Sequence, residues 1–251
     1  MTQKLTIITG ASRGMGLAMA EQLLDAGHDL VCISRRHNDN LGQRATAAGL
    51  RCEQWPLDLS KPDIAGARLE SWLAGIDGKS LSSVNLINNA GMVPRVVPLS
   101  AIPATELLDA LRVDLEAPML LTSVFLRGTQ DWPATRRVLN ISSGLGRRPM
   151  ASQAPYCASK AGMDLFTRCV ALEEASRPNG AKVCSLAPGV IDTDMQVQLR
   201  TSDASQFPDI GNFIGMKEKG VLMSPADAAA KVLAYLARPD FGSNPVADVR
   251  D

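Results

Sequence analysis

The stretch LTIITGASRGMG, Leu5 to Gly16, decides how this chain folds. Leu5 to Thr9 is a short β-branched run with the composition of a strand. It breaks directly into Gly10, Gly14 and Gly16, spaced G-x-x-x-G-x-G, and then Leu17, Ala20, Leu23 and Leu24 recur at helical spacing. Strand, glycine-rich turn and helix in that order form the setting in which glycines serve a dinucleotide. Without side chains the backbone can turn tightly and approach a pyrophosphate, whose charge then faces a helix N-terminus. The spacing differs from the usual G-x-G-x-x-G, so the context carries the reading.

Working outward, strands are expected over Leu30–Ser34, Leu50–Pro56, Val84–Ile87, Arg137–Ser142, Ala181–Ala187 and Pro245–Val249. Helical patterns separate them: Pro62–Ile76, with Ile64, Leu69, Trp72 and Leu73 inward; a long Ala104–Arg127; Tyr156–Ser176; and a last helix. Ser224-Pro225-Ala226-Asp227 opens that last helix as a capping box with proline at its first position. This alternation gives an α/β chain: a doubly wound parallel sheet of about seven strands, helices on both faces, one domain over 1–251. Residues 194–223 are the least regular part, and Met195, Leu199, Phe207, Ile210, Phe213 and Met216 make them apolar enough to cover a substrate.

Composition narrows the class. With 251 residues and 45% hydrophobic content the chain can bury a large core. The 26 basic and 26 acidic residues cancel and are mixed along the chain, which argues against nucleic acid or an anionic membrane as partner. No run of about 18 apolar residues and no signal peptide is seen, so a cytoplasmic protein is expected. Cys32, Cys52, Cys157, Cys169 and Cys184 are isolated, as buried free thiols in a reducing compartment would be, and no metal site is expected.

The candidate chemistry lies in LNISSGLGRRPMASQAPYCASK, Leu139 to Lys160. Tyr156 and Lys160 are four apart and share one face of a helix. An ammonium beside a phenol favours the phenolate and is expected to lower the Tyr156 pKa from its reference of about 10. Ser143, at a strand end, can meet the phenol on one substrate oxygen, holding a carbonyl while Tyr156 protonates it and a hydride arrives at carbon. Asn88, Asn89, Ala90 and Gly91 end another strand where open α/β sheets bind ligands. After the second strand come Arg35 and Arg36, with no acid for a ribose 2′-hydroxyl; with Arg13 nearby they favour a 2′-phosphate, hence NADP(H).

Thr9 to Gly16, Asn88 to Gly91, Ser143, Tyr156 to Lys160 and Pro188-Gly189 follow one another across the whole length. In this the chain resembles the short-chain dehydrogenase/reductase family. Within it, Pro188 to Gln196 and the ending Val246 to Asp251 are most similar to sepiapterin reductase and bacterial benzil reductases. The resemblance implies a Rossmann-like fold and assigns roles. Tyr156 is the general acid, Lys160 lowers its pKa and holds the nicotinamide ribose, and Ser143, with Gly144 beside it, orients the carbonyl. Gly10, Ser12, Arg13, Gly14, Met15, Gly16, Arg36, Asp58, Leu59, Asn89, Ala90, Gly91, Pro188, Gly189, Ile191, Thr193 and Met195 carry the cofactor. Gly189 and Asp248 fall where relatives contact substrate, and helices 104–127 and 156–176 where relatives form dimers or tetramers.

One departure stands out. The family's usual asparagine, which completes a proton relay with the lysine through water, is Asp114 here. An aspartate can keep that role because the helix offers its backbone carbonyl, while its charge would raise the Lys160 pKa. The expected function is an NADPH-dependent reduction of a small ketone or vicinal dicarbonyl. The alternative, an NADP(H) sensor or scaffold without turnover, is disfavoured because Tyr156 and Lys160 are both present; an epimerase or dehydratase is disfavoured by length and glycine spacing.

Overall fold

Strand β1, Gln3–Thr9, lies inside a sheet that grows outward from it on both sides. The structure is a computed structural model describing residues 3–251. Its seven strands are β1, β2 (His28–Ser34), β3 (Cys52–Pro56), β4 (Leu81–Asn88), β5 (Thr135–Ile141), β6 (Lys182–Ala187) and β7 (Val246–Asp248). They lie in the order β3-β2-β1-β4-β5-β6-β7, every pairing parallel. The chain winds one way from β1 to β3, then crosses back to lay β4 on the other side of β1. Ligands of open α/β sheets bind at that reversal, outside the carboxyl ends of the strands.

The inner strands bury apolar side chains on both faces because both faces are covered. Successive side chains point to opposite faces, so Ile8, Leu30, Cys32, Ile87, Leu139 and Cys184 enter one core while Ile7, Val31, Leu86, Val138 and Val183 enter the other. Helix α1 (Gly14–Asp25), helix α2 (Asp39–Ala47) and, later in the chain, the helix over Pro225–Ala237 cover the first face. Helices α3 (Pro62–Ala74) and the 117–129 helix cover the second with Leu69, Leu73, Leu121 and Phe125. The expected inward Ile64 is 50% exposed: Ala65, Leu69 and Leu73 set the buried stripe of α3, and Ile64 falls off it.

The expected single helix over 104–127 is continuous but not uniform. It comprises α4 (Ala104–Leu111), a π-turn over Arg112–Glu116 and α5 (Ala117–Thr129). Pro118 explains the break: it has no N–H for the carbonyl of Asp114, four residues back, and the Ala117 N–H bonds instead to the Arg112 carbonyl. Helix α6 runs Ala154–Ala175. Residues 194–223 hold two short helices, α7 (Asp194–Arg200) and α8 (Ile210–Glu218), more order than expected. Helix α9, Pro225–Ala237, starts at Ser224, whose hydroxyl accepts from the Asp227 N–H and donates to its carboxylate. The cysteines are all free, but only Cys32 and Cys184 are buried; Cys52 and Cys157 are half-buried and Cys169 is exposed on α6. Among the described residues no helix is long and apolar enough to cross a membrane.

Candidate active site

The glycine loop is braced by the end of β4. The Asn89 and Ala90 N–H groups both donate to the Thr9 hydroxyl at 2.9 Å, and the Asn89 amide donates to the Thr9 carbonyl at 2.9 Å. Asn89 thus holds the loop in place. Gly10 has φ +72°, and a Cβ there would lie 2.9 Å from the Asn89 amide nitrogen; a Cβ on Gly16 would lie 2.2 Å from the Gly10 carbonyl oxygen. Only glycine fits either position. Met15 turns its side chain into the core, leaving its backbone to the loop. Helix α1 begins with no side-chain cap and no acid in its first turn, so its first N–H groups stay open at the positive end of a twelve-residue helix. That arrangement suits a pyrophosphate. Ser12 is half-buried in the same turn.

Two further segments border this loop. Arg35 and Arg36 follow β2 exposed, and among the described residues neither guanidinium has a hydrogen-bond or ion-pair partner. Asp58 is exposed and caps its own turn through the Ser60 N–H, which with Arg35 nearby holds its carboxyl below the usual range; Leu59 is buried in the core. Opposite, Gly189 has φ +83°, and Ile191 pairs with Met223 as an isolated bridge. Thr193 lies across from Gly14, and Arg13 reaches over to Asp194 at 2.5 Å, tying the glycine loop to the start of α7.

The three candidate side chains converge. Ser143 caps the short turn Gly144–Gly146, accepting from the Leu145 N–H, and its hydroxyl faces the Tyr156 phenol. Lys160 Nζ lies 5.5 Å from the Tyr156 ring centre and donates to the Ile141 carbonyl at 3.0 Å, leaving two donors unspent. Asp114 is fully buried; Oδ1 accepts from the Met92 N–H at 2.8 Å and Oδ2 has no partner. Burial pushes the Asp114 pKa up to about 6, against the pull of Lys160. The expected depression of the Tyr156 pKa does not hold here. Burial, and then the Asp114 carboxylate, push the phenol up, and the Ser143 hydroxyl pulls it down. Burial likewise lowers Lys160, with Asp114 and Asp164 opposing. The phenol is therefore protonated and uncharged here.

Asp248 comes close to Gly189 through its neighbour Val249, which a Cβ on Gly189 would meet at 3.8 Å. Its carboxylate is not free: Arg250 engages both oxygens, at 2.7 and 2.6 Å, and keeps the pKa low. Met195 joins a third apolar cluster in which Val93, Val96, Leu199, Phe207 and Phe213 pack with Tyr156.

Sequence reasoning missed the supports beneath these groups. Asn88 donates to Asn140 at 2.8 Å and Asn140 to Thr167 at 2.9 Å, a buried polar row locking β4, β5 and α6 together below the site. Asp164 on α6 accepts from Ser142 and Ser185 at 2.7 and 2.6 Å and from Arg147 at 3.2 Å, and Arg147 also donates to the Ala247 carbonyl. The available signal was polar residues interrupting apolar strands, but it names no partner. Among the described residues no cluster of His, Cys, Asp or Glu could hold a metal ion.

Residues 4–204 match the family model described as short chain dehydrogenase. The chain belongs to that family. This short-chain dehydrogenase is 37% identical over 238 residues to a benzil reductase ((S)-benzoin forming) of Bacillus cereus, covering 95% of this chain and 96% of the relative. It is 32% identical over 262 residues to the sepiapterin reductase of Bos taurus, with 98% and 94% covered. Its fold superposes on the crystal structure of the KRED1-Pglu enzyme with a TM-score of 0.80, at 25% identity, covering 98% of this chain and all of that one. The chain is accordingly an oxidoreductase of a family that uses nicotinamide cofactors on small molecules.

Proposed function

We propose that this chain is an NADPH-dependent reductase of ketones or vicinal dicarbonyls. The observation that carries this reading is the meeting of the Ser143 hydroxyl and the Tyr156 phenol in front of a buried Lys160. The likeness to benzil and sepiapterin reductases supports it.

The residues present fit a dinucleotide. Gly10, Gly14 and Gly16 would let the pyrophosphate reach the N-terminus of α1. Arg35 and Arg36, exposed and unspent, would take a 2′-phosphate, with Arg13 exchanging Asp194 for it or remaining as the tie across the cleft. Asp58, Leu59, Ala90, Gly91, Pro188, Ile191, Thr193 and Met195 would border the rest, and the two unspent donors of Lys160 would hold the nicotinamide ribose. The bound cofactor supplies a hydride.

The chain's own groups do the remaining work. Ser143 and Tyr156 hold the carbonyl oxygen, and Tyr156 gives it a proton. Lys160 stabilises the phenolate left behind. A proton returns through Lys160, and the Asp114 carbonyl freed by Pro118 offers a water an acceptor beside it. Residues 194–223 cover the substrate: Phe207, Phe213, Leu199 and Met195 pack over Tyr156 and exclude water. Leu108, Met119, Leu165 and Leu172 stand 41% to 78% exposed on α4, α5 and α6, as helices that pair with a second copy would show.

The test is NADPH oxidation with benzil, 1-phenyl-1,2-propanedione and sepiapterin, with NADH in parallel. Turnover on any of them with NADPH is expected. Tight NADPH binding with silence across the panel would return the sensor alternative, and turnover with NADH alone would overturn the role of the arginines.

A further inference from the structure

One carboxylate, Asp164 on α6, grips the segment that carries Ser143 at both of its ends. Just before Ser143, the Ser142 hydroxyl donates to Asp164 Oδ1 at 2.7 Å. Just after the turn that Ser143 caps, Arg147 Nε donates to Oδ2 at 3.2 Å. The Ser185 hydroxyl on β6 also donates to Oδ1, at 2.6 Å, which anchors the carboxylate to the sheet. Asp164 is 7% exposed, and hydrogen bonds to a buried charge are the strong ones.

Between these two grips the segment keeps its own shape. The Gly146 N–H donates to the Ser143 carbonyl at 3.0 Å, and the Arg147 N–H to the Gly144 carbonyl at 3.1 Å. A turn braced in this way moves as one piece, so its outer attachments decide where the Ser143 hydroxyl lies. They lead to the sheet, through the Ser142 N–H on the Leu186 carbonyl at 2.9 Å and through Arg147 on the Ala247 carbonyl. They also lead to α6, where Asp164 holds both ends and Gly146 packs so closely that a Cβ would lie 2.9 Å from the Lys160 carbonyl oxygen. Tyr156 stands on the same helix, eight residues before Asp164, a rise of about 12 Å along the axis. Asp164 is too far along the helix to share the phenol's work directly.

We propose that Asp164 is a positioning residue, which sets the Ser143 hydroxyl against the Tyr156 phenol by clamping residues 142–147 to the helix that carries the phenol. This rests on the reductase reading and deepens it. The clamp can be opened at one end. Asp164→Asn keeps one oxygen for the two serine hydroxyls but turns an N–H group towards Arg147 Nε–H, donor against donor.

The experiment measures NADPH-dependent reduction of the dicarbonyl panel by the wild type, Asp164→Asn, Ser143→Ala and the double variant. Asp164→Asn should lower kcat by about 10 to 100-fold, the cost of a misplacement of about 1 Å, and leave NADPH affinity within about twofold. In the Ser143→Ala background the same substitution should cost less than about twofold, because no hydroxyl remains to be placed. A merely structural role would give equal losses in both backgrounds. Arg147→Met opens the same end of the clamp and should repeat the pattern, which keeps the test alive if Asp164→Asn does not fold. A second readout needs no turnover. The chain has two tyrosines, so 3-fluorotyrosine in a Tyr235→Phe chain reports on Tyr156 alone. Asp164→Asn should move that fluorine signal towards its position in Ser143→Ala, and should not move it once Ser143 is alanine. Equal losses in both backgrounds, an undiminished kcat or an unmoved fluorine signal overturns the proposal. Silence of the wild type across the panel sinks the reductase reading instead, and the fluorine signal then decides the role of Asp164.

Discussion

Asp114 and Lys160 converge on Gly91 without forming an ion pair. A Cβ on Gly91 would lie 3.2 Å from Asp114 Oδ1 and 3.7 Å from Lys160 Nζ, yet the carboxylate accepts from Met92 and the ammonium donates to Ile141. Two buried titratable groups therefore lie side by side with Oδ2 unpaired, and each one's charge depends on the other.

Asp114→Asn should act through pH. The carboxyl is raised from 3.8 to about 6, so between those values the folded chain binds more protons than the unfolded one, and stability falls as pH rises through that window. The variant escapes that loss. Its melting temperature relative to wild type should climb from pH 4 to pH 7 and then level, by an amount worth about 2 to 3 kcal/mol. Activity should persist, with an ionisation near 6 disappearing from the kcat/KM profile. A profile unchanged in the variant would remove Asp114 from the relay.

Tyr156→Phe should lower kcat by about 10² to 10⁴-fold, the worth of a positioned proton donor. NADPH affinity, read by fluorescence titration, should stay within about twofold. Undiminished turnover would remove Tyr156 as the proton donor.

Replacing Arg35 and Arg36 together by Ser should raise the KM for NADPH by about 10² to 10⁴-fold and leave that for NADH nearly unchanged, since charge-assisted bonds to phosphate contribute about 1.5–3 kcal/mol each. Equal effects on both cofactors would show that the pair does not read the 2′-phosphate.

Two glycines should respond oppositely to alanine. At Gly16 the new Cβ would sit 2.2 Å from the Gly10 carbonyl oxygen, inside the loop that Asn89 holds, so a loss of about 1–3 kcal/mol in stability and failure to bind NADPH are expected. At Gly144 the Cβ meets nothing within 4 Å, and stability should change by less than about 0.5 kcal/mol. Chemical denaturation separates the two.

Leu165→Glu with Leu172→Glu should turn a dimer into monomers by light scattering, because both leucines stand exposed on α6, at 64% and 78%. An unchanged mass would place any self-association elsewhere.

Sequence alone determined the alternating architecture, the glycine loop and the Ser143, Tyr156 and Lys160 set. These are local patterns: apolar periods of two and 3.6, glycines where a Cβ cannot fit, and a fixed i, i+4 spacing on one helix. Tertiary structure decided the energetics. Whether Tyr156 is acidified by Lys160 or held neutral depends on how deeply 194–223 and α6 bury it, and burial wins. Asp114 could be read as a departure, but only the packed helix buries its side chain and sets it against the Met92 N–H. Asp248 could be placed at the chain's end, but not its capture by Arg250. Asp164 carried no signal at all. An aspartate on a helix is ordinary in sequence, and only the fold gathers Ser142, Ser185 and Arg147 on its carboxylate.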